Sequence, residues 1–208
     1  MKNKLYPYII PTALIVAWWF VSAMKLTNPF YLPYFSDTIS ALSTCFEVEG
    51  LKHIGFTLYR MIAGFLFSTI VAVPIGLLIG MNRKAYAFLE VIIDFCRSVP
   101  ATALIPLFLL FFGLGDGAKI AQVIFICFWI ILVNTIYGVW NAPALRVRVA
   151  RVFKAGKFKI LRDVIFWDAL PQIMVGLRIA LSLALLVIVV SEMFIGTEYG
   201  IGDRIYDS

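Results

Sequence analysis

Residues 171–195 read PQIMVGLRIALSLALLVIVVSEMFI. The run holds one cation, Arg178, and one carboxylate, Glu192, among side chains that are mostly aliphatic or small. About 20 apolar residues carry a helix across the hydrocarbon core of a bilayer. In that solvent the backbone must satisfy its own hydrogen bonds, which leaves helices and closed barrels, and a lone run cannot close a barrel. Four further apolar runs lie at 9–24, 58–81, 88–112 and 120–140. The expected fold is all-α: a polytopic membrane protein of about five transmembrane helices, organised as a single transmembrane domain over 1–208.

Composition agrees. Hydrophobic residues make up 62% of the chain and charged ones 14%, where a soluble domain carries about a quarter charged. The net charge of +6 invites a nucleic-acid reading, but position argues against one. Lys2, Lys4, Arg83, Lys84 and seven cations between 146 and 162 all fall on one side if the N-terminus is cytoplasmic, as the positive-inside rule requires. The tail sets Glu198, Asp203 and Asp207 against Arg204, which suits an exterior segment. The lipid bilayer, not nucleic acid, is the expected surroundings, in a multi-pass cell-membrane protein. Met1 to Lys4 plus the first apolar run also have the form of a cleavable signal peptide, but the further spans favour its retention. Cys45, Cys96 and Cys127 show no disulfide or metal spacing. His53 reads as an exterior-loop residue.

The polar residues are weighed one by one. Residues 113–119, GLGDGAK, superficially match a phosphate loop, but they join two apolar spans and read as a tight interhelical turn. Glu90, Asp94 and Arg97 share one helix face, where Arg97 can pair with Asp94 in an interfacial ion-pair cluster. Pro100 and Pro106 interrupt the third run; such a break either lines a pathway or kinks a packed helix. Asn134, Tyr137 and Asn141 form a polar stripe on the fourth. Arg178 and Glu192 stand about 21 Å apart along a helix, too far to pair, so each needs another partner. Pro100, Thr102, Asn134, Arg178 and Ser182 are the candidate pathway residues. Gly64, Gly76 and Gly80 are expected to admit a neighbouring helix at close range.

Residues 143–170 form the longest polar interval between spans on the basic side. Leu145, Val149, Val152, Phe153, Ile160 and Val164 recur at helical spacing, with Arg148, Arg151, Lys159 and Arg162 on other faces. The pattern predicts two short amphipathic helices turning in KAGK (154–157), around Gly156, with Asp168 capping the next helix and Pro171 in its first turn. A folded element of this kind is a docking surface; a basic loop bound to anionic lipid headgroups is the other reading.

The chain resembles permease subunits of binding-protein-dependent ABC importers, of the nitrate, sulfonate and taurine group. The resemblance rests on LPYFSDTISAL (32–42), TLYRMIAGF (57–65), PIGLLIGM (74–81), RSVPATALIPLFLLFFGLGDGAK (97–119), DALPQIMVGLRIAL (168–181), SEMF (191–194) and GIG (200–202), in family order. It implies that the 143–170 loop is a cytoplasmic helix-turn-helix docking on an ATP-binding subunit, through Arg148, Ala150, Arg151, Phe153, Lys154, Ala155, Gly156, Lys157 and Phe158. It further implies a second permease subunit, either a second copy or a paralogue, two ATP-binding subunits and an extracytoplasmic solute-binding protein. On this reading the chain is a transport subunit and not an enzyme. It binds no cofactor or metal, and ATP with Mg belongs to the partner ATPase. Three departures stand out. Aligned through DALP, Arg148 occupies the family's Glu position and Lys154 its Gly position; Trp167 stands where a Pro is common; and the span that follows GIG in the family is expected to be missing. Two alternatives are a degenerate subunit paired with a paralogue and a non-transport membrane scaffold with a basic docking loop.

Overall fold

The computed structural model describes residues 6–24, 28, 32–44 and 46–206. Among them the regular structure is helical, without a strand. Lys2, Lys4, Cys45 and Asp207 lie outside the described residues. The chain divides into two compact units, Met1–Lys52 and His53–Ser208.

In the first unit α1 (Tyr6–Ala23) and α2 (Phe35–Thr44) pack on each other. The Ser22 hydroxyl accepts from the Phe35 amide at 2.8 Å, and the Trp18 indole donates to the Pro33 carbonyl at 3.3 Å. The short helix expected after the prolines is α2. The apolar stretch of α1, Ile9–Ala23, is shorter than the long spans of the second unit.

Among the described residues three helices are long and apolar enough to cross a membrane, or four if a bent pair is counted as one span, against the five expected. The first, α3 (Val48–Gly80), begins about three turns before the expected 58–81 run, because helix continues through its polar start; His53 therefore lies on a helix, not in a loop. The second is α6 (Asp116–Trp140), and the third ends in α9 (Phe166–Ile195). Between α3 and α6 the expected span at 88–112 is broken where its prolines fall. There α4 (Arg83–Ser98) stops and the chain turns by 84° through a 3-10 turn, Ala101–Leu104, into α5 (Ile105–Phe112). Proline is the cause. Pro100 offers no amide and holds Val99 extended at φ −79°, ψ 121°, while Pro106 lies within the first two residues of α5, where a missing amide costs little.

The core of this unit is the contact of α6 with α9, closed by α3. Val123, Cys127, Ile131, Leu132, Ile136 and Ile188 are fully buried there. The glycines of α3 admit α6: a β-carbon at Gly64, Gly76 or Gly80 would lie 2.7, 2.7 and 2.8 Å from Val123, Thr135 and Val139. These contacts bear out the close approach expected of small residues between membrane helices. Outside them Phe67, Ile70, Leu78, Leu110 and Leu186 stay exposed, as lipid-facing positions do.

Candidate coupling loop and translocation path

The 143–170 interval leaves the end of α6 through Pro143 and forms α7 (Ala144–Val152). Its C-terminus closes in a paired arrangement. The Ala155 amide reaches the Ala150 carbonyl at 3.1 Å and the Lys154 amide reaches the Arg151 carbonyl at 2.9 Å, with Lys154 left-handed at φ 53°. Such a stop puts the left-handed residue just past the helix end, where glycine is the usual occupant. The break falls in the KAGK segment (154–157) that the sequence marked around Gly156; within it Gly156 has an ordinary φ of −64° and precedes α8 (Lys157–Ile160). Lys154 makes the turn.

The second arm also departs from expectation. From α8 the backbone continues through one π-helical turn, Leu161–Ile165, into α9, so one helical rod runs Lys157–Ile195. Asp168 therefore caps nothing, and Pro171 lies inside α9 rather than in a first turn. Asp168 has a different partner: its carboxylate takes a hydrogen-bonded ion pair from Arg146, tying α7 to the base of α9.

The faces of α7 separate by role. Val147 and Ala150 pack with Ala155 on the cluster of Leu77, Val139, Ile160, Ile165, Ala169 and Ile173. Leu145, Val149 and Val152 stand exposed on another side, with Phe153 and Phe158 beside them at 80% and 74% exposure. Apolar side chains left this open form a candidate contact surface. Arg148 and Arg151 line a cavity behind the helix, of about 740 Å³, together with Arg83 and Lys157.

The pathway candidates fall in three places. Pro100 precedes and Thr102 sits in the 3-10 turn at the bend, which packs on α6 and α9. Asn134 is half-buried on α6, donating to the Ile130 carbonyl at 2.9 Å and accepting from Gln172 Nε2 of α9 at 3.0 Å, an interhelix hydrogen bond. Arg178 and Ser182, one turn apart, are exposed on α9, where the Ser182 hydroxyl returns to the Arg178 carbonyl at 3.1 Å. Among the described residues Arg178 has no ion pair.

A polar site that the sequence did not reveal as one lies at the opposite end of the helices. Glu192, fully buried, receives Arg60 Nη1 at 2.7 Å, the Thr57 hydroxyl at 2.8 Å and the Gly202 amide at 3.1 Å. Arg60, 3% exposed, also reaches Asp116 at 2.7 Å, the Tyr199 carbonyl at 2.8 Å and Thr197 Oγ1 at 3.0 Å. His53 Nδ1 lies 3.0 Å from both the amide nitrogen and the carbonyl oxygen of Gly200. Lys119, 1% exposed, donates to the Gly196 carbonyl at 2.9 Å. The GIG segment is explained by this site: a β-carbon at Gly200 would lie 2.7 Å from Glu192 Cδ, and one at Gly202 would collide with the Val189 carbonyl. Thr57, Arg60, Glu192 and the two glycines each stand in a quoted motif, but a contact spanning 132 positions leaves no local pattern. Of the 113–119 segment, 113–115 is the expected turn, with Gly113 at φ 70° ending α5, and the rest, from Asp116, opens α6. Arg97 and Asp94 pair loosely at 3.8 Å on an exposed face.

Residues 72–208 match the family model of the binding-protein-dependent transport system inner membrane component. The taurine transport system permease protein of Escherichia coli (strain K12) is 28% identical over 195 residues, covering 91% of this chain and 70% of that protein. The bicarbonate transport system permease protein of Synechococcus elongatus is 36% identical over 152 residues, 73% of this chain and 55% of that protein. The nitrate import permease protein of Leptolyngbya laminosa is 34% identical over 155 residues, 74% and 55%. Apolar helices packed through glycine, motifs in family order and a family match over most of the chain lead to one assignment: the chain belongs to the binding-protein-dependent transport system inner membrane components, multi-pass permease subunits of ABC importers that work with ATP-binding and solute-binding components.

Proposed function

We propose that this chain lines, together with a second permease subunit, the translocation path of a small inorganic or sulfonate-like anion. The N-terminus lies in the cytoplasm and the 143–170 loop docks on an ATP-binding subunit. The assembly is two permease subunits, two ATP-binding subunits and an exterior binding protein; ATP and Mg are held by the ATPase and not by this chain. The whole chain, 1–208, acts as one permease domain.

The observation that carries the anion reading is Arg178. It lies on the exposed side of α9, about 26 Å before the end of that helix, without an ion pair among the described residues. A cation within a span is costly unless it meets a counter-charge, so such a residue marks a path for anions or a site of pairing. Relatives named for taurine, bicarbonate and nitrate transport all concern small solutes with an anionic group. On the loop side, the exposed apolar side of α7 next to Phe153 and Phe158 supports docking.

The test is uptake of labelled taurine, nitrate and bicarbonate by proteoliposomes carrying the whole importer. Arg178→Gln should lower uptake of the transported anion at least tenfold, Arg178→Lys should restore part of it, and assembly with the ATPase should be unchanged. Full uptake by Arg178→Gln would remove this residue from the path. Subunit counting of the purified complex distinguishes two copies of this chain from one copy beside a paralogue.

A further inference from the structure

We propose that the cavity behind α7 is a binding site for the phosphate of an anionic lipid. The cavity opens where α3, α6 and the loop meet, and its charged lining is Arg83, Arg148, Arg151 and Lys157, with no carboxylate among the lining residues. Of the seven loop cations, Arg146 and Arg162 are paired with Asp168 and Asp163. Arg148, Arg151 and Lys157 have no such pair among the described residues. Arg83 is placed by a ring, its guanidinium 5.3 Å from the centre of Trp140. Trp140 is itself anchored by donating to the Gly80 carbonyl at 3.1 Å.

Four like charges around one cavity repel each other, and an anion among them relieves that repulsion. Guanidinium groups match phosphate oxygens in pairs, and Arg148 and Arg151, one turn apart, present two such groups from one side of α7. The remaining wall is apolar, with Met81, Val139, Val147, Ile160 and Ile165. Free phosphate has no use for such a wall, whereas the glycerol and upper acyl carbons of a lipid do. Trp140, with Tyr86 and Tyr137 ring to ring beside it at 4.6 and 5.6 Å, gives the aromatic setting of a membrane–water boundary. Basic pockets between helix ends suit acidic headgroups.

The site adjoins the docking surface, with which it shares Arg148, Arg151 and Lys157. Leu145, Val149 and Val152 stand exposed on α7, with Arg148 beside Leu145 and Val152 at three- and four-residue spacing and Arg151 further round the helix, so a headgroup in the cavity and a protein on the apolar side would share this helix. A headgroup held there ties α7 to the ends of α3 and α6 and to the start of α4. The inference does not depend on which solute is carried.

Native mass spectrometry of the purified permease–ATPase complex, exchanged into detergent with equal phosphatidylglycerol and phosphatidylcholine, reads the site directly. The wild-type complex should retain phosphatidylglycerol in preference, at one per copy of this chain. Arg148→Gln and Arg151→Gln should each weaken retention about fivefold, Arg148→Lys should recover most of it, and Lys84→Gln, an exposed cation outside the cavity lining, should change nothing. Equal retention of both lipids, or wild-type retention by Arg148→Gln, would overturn the proposal. So would complete displacement by millimolar inorganic phosphate, which would make the ligand a soluble anion. Retention by the permease alone but not by the complex would assign the cavity to an acidic segment of the ATPase instead.

Discussion

Lys154 spends conformational energy where the family places glycine. A side chain in the left-handed region costs roughly 1–2 kcal/mol, because its β-carbon crowds the following carbonyl. Lys154→Gly removes that cost and gives back some through the greater freedom of the unfolded chain. A net gain of about 0.5–1 kcal/mol is expected, seen as a few-fold slower amide hydrogen exchange at 150–156, whereas Lys154→Val should speed it. Faster exchange in the glycine variant would mean that the lysine side chain itself holds the turn. At the other end of the unit, Glu192 and Arg60 illustrate the opposite economy. Each is satisfied by several donors or acceptors, so the pair is cheap only while complete. Glu192→Gln leaves Arg60 buried with a single carboxylate, Asp116, and should destabilise the protein by about 3 kcal/mol in denaturant titration in mixed micelles. Replacing both Arg60 and Glu192 by apolar residues should cost less than the sum of the single changes.

Among the elements, α3 shows how a helix is fitted to one neighbour along its length. Where Gly76 meets α6, an added β-carbon would lie 2.7 Å from Thr135 Cβ and 3.0 Å from the Leu132 carbonyl, neither of which yields easily. Nothing lies within 4 Å of the same position at Gly55. Gly76→Ala should therefore cost about 1–3 kcal/mol by overpacking, while Gly55→Ala should be neutral or stabilising by up to about 1 kcal/mol, as for any open helical glycine. Thermal unfolding of the two variants side by side checks this, and equal effects would refute the packing account. The broken pair of α4 and α5 follows another rule. Its apolar run predicts one span, and length alone permits it, but Pro100 removes an amide and stiffens Val99, so the run becomes two helices set at 84°.

On the scale of the whole molecule, the rod Lys157–Ile195 connects the loop to the buried ion pair. Its base is tied to α7 through Asp168 and Arg146, and its far end is held by Arg60 and Thr57 through Glu192. A force on α7 therefore acts on a continuous helix about 58 Å long rather than on a flexible hinge. Replacing 153–158 by a shorter turn of equal net charge should abolish solute uptake and separate ATP hydrolysis from transport, with the transmembrane helices intact by circular dichroism. Uptake at the wild-type rate would show that the outer face of the loop does not couple.

Fold class was legible because bilayer insertion is a property of local composition: a run such as 171–195 needs no partner to declare itself a span. The amphipathic pattern of α7 declared itself in the same way, since helical spacing is local. Tertiary structure decided what depends on distant partners. It showed that the break in the third apolar run is a turn of 84° and that Lys154 takes the left-handed position within the KAGK turn. It set Asp168 against Arg146 in place of a helix cap, and it brought Arg60, Thr57 and Glu192 together from helices far apart in sequence. The physical reason is one of range. Hydrophobicity and periodicity act over one or two helical turns, whereas the partner of a buried charge is chosen by packing, and packing is decided only when the helices meet.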